Sequence, residues 1–367
     1  NKHPKNSRKW AADAKLARSE NAATTCPTAK GAPFIMSILH KACWLHKFPS
    51  SPEEVHKIAH RLEDAGFDML LPCVKQPDGI IDYHTEIGTV RQEFRDRDPL
   101  RVLTEETDGM ELSVHAWCCV FPEGEHSALL NAHPELAAET GEEWDLGEPQ
   151  FRWACPNRPE VREYEASIYQ ELLDNYPVEG VHLDYIRFSQ GLCFCEHCRD
   201  SYRQTTGGDL SSLGFFGWND PDAQDMDRWI EWRCGVITDF VRRIREMSSG
   251  AGRELSAAVF HYYPGGLLDI GQDWERWVRE GLLDYVFPMN YNLSTQIAAK
   301  WTRNNEATLQ DAPDGCCLWE GLHRHASMST PQFIDQVRAV RDAGVEGITI
   351  FQYPGLTDED LSALANL

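Results

Sequence analysis

Asp184 and Glu320 each close a short run of mostly apolar residues, Gly180-Val181-His182-Leu183-Asp184 and Gly315-Cys316-Cys317-Leu318-Trp319-Glu320. Such runs read as buried strands, and an aspartate is poorly suited to a strand interior. Asp184 is therefore expected at a strand's C-terminal end, facing a cavity. Two opposed carboxylates are the equipment for splitting a glycosidic bond: one protonates the leaving oxygen, and the other acts as nucleophile or base. The surroundings must hold one of them protonated and the other ionised near neutral pH. The assignment favoured here is Asp184 as nucleophile and Glu320 as general acid/base, with the reversed roles second. The structural alternatives are a loop cap for Asp184 and a salt bridge to Arg324 or Arg187 for Glu320.

Polar and aromatic residues recur at the ends of the other apolar runs. They are His40, His115, Trp117, Arg187, His261, Tyr263, Asn290, Tyr291, Trp319, Gln352 and Tyr353. Sugar rings pack their C–H faces on Trp and Tyr, while their hydroxyls bond to Asn, His, Arg and Gln. Trp117, Tyr291, Trp319 and Tyr353 are the expected platforms, and His115, Arg187, His261, Tyr263, Asn290 and Gln352 complete the expected substrate-binding set.

A different chemistry belongs to Cys193-Phe194-Cys195-Glu196-His197-Cys198. Thiolates and an imidazole at this spacing suit a structural zinc, with Cys193, Cys195, His197 and Cys198 as candidate ligands. A second C-x-x-C is missing, so a disulfide with a free thiol, or no bond at all, stays open beside it. No catalytic metal and no cofactor are expected, because carboxylates suffice for the hydrolysis. No G-x-S-x-G serine signature is present.

Eight strand-like runs must position these groups. They lie at Phe34–Leu39, Phe67–Val74, Leu112–Phe121, Gly180–Phe188, Leu255–Tyr263, Leu283–Tyr291, Gly315–Glu320 and Gly347–Tyr353. Helical patterns alternate with them. Ser51-Pro52-Glu53-Glu54 opens one with Ser as N-cap and Pro at N1, and Gly66 stops it. Asp98-Pro99, Pro159-Glu160 and Thr330-Pro331 open others, and a long amphipathic one runs from about Ala223 to Met247. Strands alternating with helices imply a parallel sheet, and eight such units imply an α/β fold closed as a (β/α)8 TIM barrel. Long loops follow the third and fourth strands, the former rich in acids such as Glu123, Glu125, Glu142, Glu143 and Asp145. No G-x-G-x-x-G or P-loop follows the first strand, which weighs against a nucleotide fold.

The chain has 367 residues, 42% of them hydrophobic, enough for one large barrel. Residues 1–32 form a polar, partly basic stretch without periodicity, read as an arm or linker, and 33–367 as the barrel. A formal net charge of −23 argues against nucleic acid or an anionic membrane as partner. No apolar run is long enough for a membrane span. Twelve tryptophans are many: core filling must account for most of them, and those in loops suit sugar stacking or partner contacts. The cysteine pairs Cys118-Cys119 and Cys316-Cys317 sit in apolar runs as small buried hydrophobes, not as a disulfide framework. Oligomeric state is not legible.

Several motifs resemble the bacterial family-10-like glycosyl hydrolases of the DUF187 type. They are Trp153-Ala154-Cys155-Pro156-Asn157-Arg158-Pro159-Glu160-Val161-Arg162, Gly180 to Arg187, Val114-His115-Ala116-Trp117, Gly271-Gln272-Asp273-Trp274 and Pro288-Met289-Asn290-Tyr291. The resemblance implies a (β/α)8 barrel, glycosidase chemistry and a secreted or periplasmic location. Members often carry two consecutive acids where this chain has Asp184-Tyr185, which leaves Asp184 as the one candidate on that strand.

The resulting expectation is a hydrolase of poly- or oligosaccharides. Its rivals are a carbohydrate-binding barrel without turnover, which would use the same aromatic rim, and a metal-dependent hydrolase using His115 and His261.

Overall fold

The computed structural model describes residues 39–139, 152–189, 193–210, 223–309 and 315–367. The polar arm lies outside them, as do Glu142, Glu143 and Asp145 of the acidic loop. Eight parallel strands close into a barrel: β1 His40–Leu45, β2 Met69–Lys75, β3 Ser113–Cys119, β4 Gly180–Asp184, β5 Glu254–Phe260, β6 Tyr285–Met289, β7 Cys317–His323 and β8 Gly347–Phe351. Each pairs with the next in sequence, and β1 pairs with both β2 and β8, which closes the ring. The architecture is a (β/α)8 TIM barrel.

The principal helices are α1 Pro52–Asp64, α2 Pro99–Glu106, α3 Pro159–Asn175, α4 Glu196–Thr206, α5 Ala223–Gly250, α6 Trp274–Arg279, α7 Thr295–Leu309, α8 Thr330–Arg341 and α9 Asp358–Leu364. Their starts follow the local chemistry. The Ser51 side chain accepts from the Glu54 N–H with Pro52 at the first turn, and Ser329 with Gln332 closes a capping box on α8. Helix α4 stands in the long loop after β4, where the sequence reading has no element.

The first strand differs most from expectation. The sequence reading begins the barrel at Phe34–Leu39 and leaves Lys41–Trp44 in a loop, whereas residues 40–45 are strand β1. Residues 34–38 lie outside the described set. Within this strand the Lys41 side chain is buried and donates to the Leu364 carbonyl (3.3 Å). Ladders from β2 and β8 flank the run on both sides. The error displaces every later position on that strand by about six residues.

The pleat sorts side chains into two cores. Ala42, Trp44, Leu71, Trp117, Phe287 and Trp319 fill the lumen, while Cys43, Val74, Val114, Leu183, Leu255 and Ile348 pack outward under the helices. Glycines let the largest lumen groups in. A Cβ on Gly180 would stand 2.5 Å from the His115 ring, and one on Gly347 would stand 2.5 Å from the Trp319 indole.

A buried ion cluster ties the ends of β2 and β3 to α3. Lys75 reaches Glu123 (2.6 Å) and Glu165 (3.0 Å), and also donates to the Cys119 and Val120 carbonyls (2.9 and 2.7 Å). All three charged side chains are wholly buried. Burial acts to lower the Lys75 pKa, but the two carboxylates outweigh it and hold the ammonium protonated. One ammonium serves two carboxyl groups, and burial together with the neighbouring Glu123 pushes the Glu165 carboxyl well above its ordinary range, so the cluster is held by the Lys75 charge and by hydrogen bonds among its members.

Candidate active site

At the C-terminal mouth of the lumen lies a cavity of about 280 Å3, the lower end of the range for ligand sites. Its walls are largely aromatic: Trp44, Trp117, Tyr185, Phe260, Tyr291 and Phe351. His46, Arg187 and Gln272 supply polar edges, and Asp184 is the carboxylate on the described lining.

Asp184 is the last residue of β4, on the same face as His182, so its side chain enters the lumen. One oxygen accepts from the Trp117 indole N–H (3.1 Å) and the other from the Tyr185 backbone N–H (2.7 Å). Burial pushes the carboxyl up to about 6, against the opposing pull of the Tyr185 N–H, the Arg187 charge and the Trp117 donor. Tyr185 takes a left-handed φ of 51°, uncommon for a side-chain-bearing residue. Such conformations persist where the surroundings over-determine them. Here the turn lets the chain leave β4 sharply, with Arg187 back over the cavity. The Arg187 guanidinium lies over Trp153 (4.8 Å), Tyr185 (5.2 Å) and Phe260 (5.5 Å).

Below the cavity a polar chain crosses the lumen. The Trp44 indole donates to His182 Nε2 (3.2 Å), so that nitrogen accepts and Nδ1 carries the proton toward Ser256 Oγ (2.9 Å). Burial and the neighbouring His115 hold His182 neutral, well below its usual range. The chain fixes the tilt of Trp44, one wall of the cavity. Gln272 fixes another: it accepts from the Phe260 N–H (2.9 Å) and so locks the loop after β5 to the strand end.

Of the residues expected at the mouth, Asp184, Trp117, Arg187 and Tyr291 are brought together on the cavity. Glu320 is not. It is the fourth residue of β7, and its side chain leaves the lumen for the layer between sheet and α7. There it accepts from Asn290 (2.7 Å) and Asn305 (3.0 Å). Burial pushes it up to about 8, with the two asparagines pulling the other way. The strand continues to His323, so Glu320 does not end it, and its odd–even position sends it outward. Asn290 follows it: its amide also bonds the Ala298 carbonyl of α7 (2.9 Å).

The remaining expected binders also lie elsewhere. His115 and Trp319 sit low in the lumen, His115 against Glu254 (3.1 Å) and Trp319 stacked on His40 (5.5 Å between ring centres). His40 itself begins β1 and pairs with Asp68 at the opposite end of the barrel from the cavity. His261 stacks on Trp301 of α7 (3.7 Å). Tyr263 donates to Asp273 (3.0 Å), and the Tyr353 hydroxyl accepts from Arg61 on α1 (2.6 Å). Gln352 follows β8, half-buried, and is not on the lining. His115 and His261 therefore do not form a shared metal site.

The chain matches the family described as Glycosyl hydrolase-like 10 across residues 40–336. It belongs to the glycosyl hydrolase-like 10 family. Among curated relatives, glycosyl hydrolase DigH of Escherichia coli strain K12 is 24% identical over 223 residues, which are 56% of this chain and 48% of DigH. Glycosyl hydrolase YngK of Bacillus subtilis is 21% identical over 203 residues, 53% of this chain and 39% of YngK. The chain thus spans about half the length, or less, of the curated relatives it matches. Among solved structures, the PgaB (BpsB) glycoside hydrolase domain of Bordetella bronchiseptica superposes with a TM-score of 0.70 at 14% identity, covering 90% of this chain and 98% of that domain. A β-galactosidase from Halorubrum lacusprofundi gives 0.64 at 12% identity, covering 89% and 57%. The likeness to both is one of fold.

Nine of the thirteen residues on the described lining are not among those expected from the sequence. Trp44 and His46 escaped because β1 was drawn too early. The alternation Ala42, Trp44, His46 against Lys41, Cys43, Leu45 was the available signal. Gln272 stands inside the Gly271-Gln272-Asp273-Trp274 motif, which carried part of the resemblance without a role. Cys119, Ala258 and Met289 line the cavity with small or flexible apolar groups, for which no sequence signal exists. No helix among the described residues is long and apolar enough to cross a membrane.

Proposed function

We propose that this barrel hydrolyses O-glycosidic bonds of a poly- or oligosaccharide, with Asp184 as the general acid. The observation that carries the reading is a single buried carboxyl, held by Trp117 and Tyr185, at the floor of an aromatic-walled cavity. A carboxyl pushed up to about 6 keeps its proton into the mildly acidic range, as a proton donor requires. Asp184 delivers that proton to the glycosidic oxygen as the bond to the anomeric carbon breaks. The nearby Arg187 charge then favours the carboxylate left behind. Water attacks the anomeric carbon and loses its proton to a base. Asp78, half-buried on the loop after β2 and near enough for its charge to act on His46 and Cys119 of the lining, is our candidate for that second role. Trp44, Trp117 and Tyr291 offer faces for sugar rings.

Polysaccharide degradation outside the cytoplasm, in the periplasm or medium, belongs to the same proposal. It draws its support from the family resemblance, and fractionation of cells making the full-length protein tests it.

Reducing-end release from a broad glycan panel, compared for wild type and Asp184→Asn, is the direct experiment. Release by wild type, with the variant down by more than about 100-fold, is expected for loss of an essential acid. Asp78→Asn tests the second role in the same assay. The pH dependence decides which role Asp184 has. An acid loses activity as pH rises through about 6, and a nucleophile loses it as pH falls through the same value. Equal release by wild type and Asp184→Asn refutes the assignment.

Binding without turnover is the second reading. One observation favours it: with Glu320 in the wall, Asp184 stands without a second carboxylate on the described lining. Tight glycan binding, no release, and unchanged affinity in Asp184→Asn would establish it.

A further inference from the structure

Four cysteines that the sequence scatters over two loops converge at one buried point: Cys155, Cys193, Cys195 and Cys198. Their sulfurs all lie within 4.8 Å of one another, and each residue is 0% exposed. Cys155 Sγ stands 3.4 Å from Cys198 and 3.7 Å from Cys195, and no pair is joined as a disulfide. A tetrahedron of sulfurs about 2.3 Å from a zinc ion has edges of about 3.8 Å, close to this spacing.

We propose that these four thiolates hold a structural zinc ion that clamps the loop after β3 to the loop after β4. The sequence reading counts His197 as a ligand because no fourth cysteine is near. In the fold His197 instead bonds the Asn157 carbonyl (2.9 Å), and Cys155, some forty residues away, takes the fourth place. The surroundings suit thiolates rather than thiols. The Glu139 backbone N–H donates to Cys193 Sγ (3.4 Å). The Arg158 guanidinium lies beside Cys195 and Cys155. Cys195 is the N-cap of α4, where the helix dipole favours negative charge. Four thiolates around one zinc leave a net dianion, which these donors and this cation offset. A soft four-sulfur tetrahedral set selects zinc or iron among common metals, and buried, closed coordination marks a structural site.

The clamp acts on the candidate active site through Trp153. That residue lies two positions before Cys155 and packs on Tyr185 (5.8 Å between ring centres) and under Arg187 (4.8 Å). The metal thereby fixes the wall that holds Arg187 over the cavity. Zinc itself takes no part in bond cleavage.

The test is metal analysis of the intact protein purified without added metal. Zinc equimolar with protein, released by a mercurial thiol reagent, is the expected result. Cobalt-substituted wild type should show sulfur-to-cobalt charge transfer and the intense visible bands of a tetrahedral tetrathiolate. Cys155→Ser should lose the metal, and His197→Ala should keep it in full. The cobalt spectrum reads the ligand set on wild type, so the test stands even if Cys155→Ser fails to fold. Retention by Cys155→Ser with loss by His197→Ala overturns the ligand set. Iron in place of zinc overturns the metal. Alkylation mapping that finds disulfides among the four cysteines in freshly purified, metal-free protein overturns the site.

Discussion

Replacing Asp184 by Asn should stabilise the protein while abolishing its turnover. The folded state raises this carboxyl from its ordinary 3.8 to about 6, chiefly by burial. A raised carboxylate pKa opposes folding once the group ionises: the stability is whole below about pH 3.8 and falls as pH rises toward 6. Each pKa unit is about 1.4 kcal/mol, so the full step is worth ~3 kcal/mol above pH 6. Asparagine resembles the neutral acid in size and carries no charge. Its amide cannot accept from both Trp117 and Tyr185 as the carboxylate does, and one weakened bond returns about 1 kcal/mol. The net expectation is a gain of about 2 kcal/mol at about pH 8 and near zero at about pH 4. Urea denaturation of both proteins at the two pH values, read by tryptophan fluorescence, measures it. A variant no more stable than wild type at about pH 8 would show that burial does not raise this carboxyl. A gain of equal size at both pH values would show that ionisation is not its source.

Three further outcomes follow from the same geometry. Glu320→Gln should keep turnover within about two-fold, because the side chain faces α7 and not the cavity. It should also raise stability by an amount that grows as pH rises from about 4.5 and is complete by about pH 8, because the buried wild-type carboxyl resists ionisation over that range; a dead Glu320→Gln enzyme that folds normally would return the residue to the chemistry. Trp117→Phe removes an N–H that favours the Asp184 carboxylate, so the alkaline limb of the rate profile should move up by as much as about one pH unit, and an unmoved limb would uncouple the two residues. Lys75→Met strands Glu123 and Glu165 together without their counter-charge, which should cost about 3–5 kcal/mol in chemical denaturation, while a loss below about 1 kcal/mol would show the cluster to be hydrated.

The barrel was legible in the chain because its signal is local and repeated. Short apolar runs alternate with helices opened by Ser, Asp or Pro and stopped by Gly, and those rules act over a few neighbouring residues. Asp184 was legible for a related reason: a carboxylate at the end of an apolar run has few structural explanations. What the sequence could not supply was the face each rim residue takes. A strand turns successive side chains to opposite sides, so an error of one position, or a strand end drawn three residues short, sends a side chain from the lumen to the helices. Glu320, Asn290 and Tyr353 went to the outer layer for that reason, and Trp44 entered the cavity unannounced. His115 and Trp319 face inward but lie too deep, since depth depends on the stagger between neighbouring strands. The fourth cysteine is the extreme case. Cys193, Cys195 and Cys198 lie within six positions and declare themselves, whereas Cys155 joins them only because two loops at the same end of the barrel fold over one another. Local pattern fixed the kinds of element and the carboxylate at β4; closure of the ring decided which side chains meet, because meeting depends on register and pleat across strands far apart in the chain.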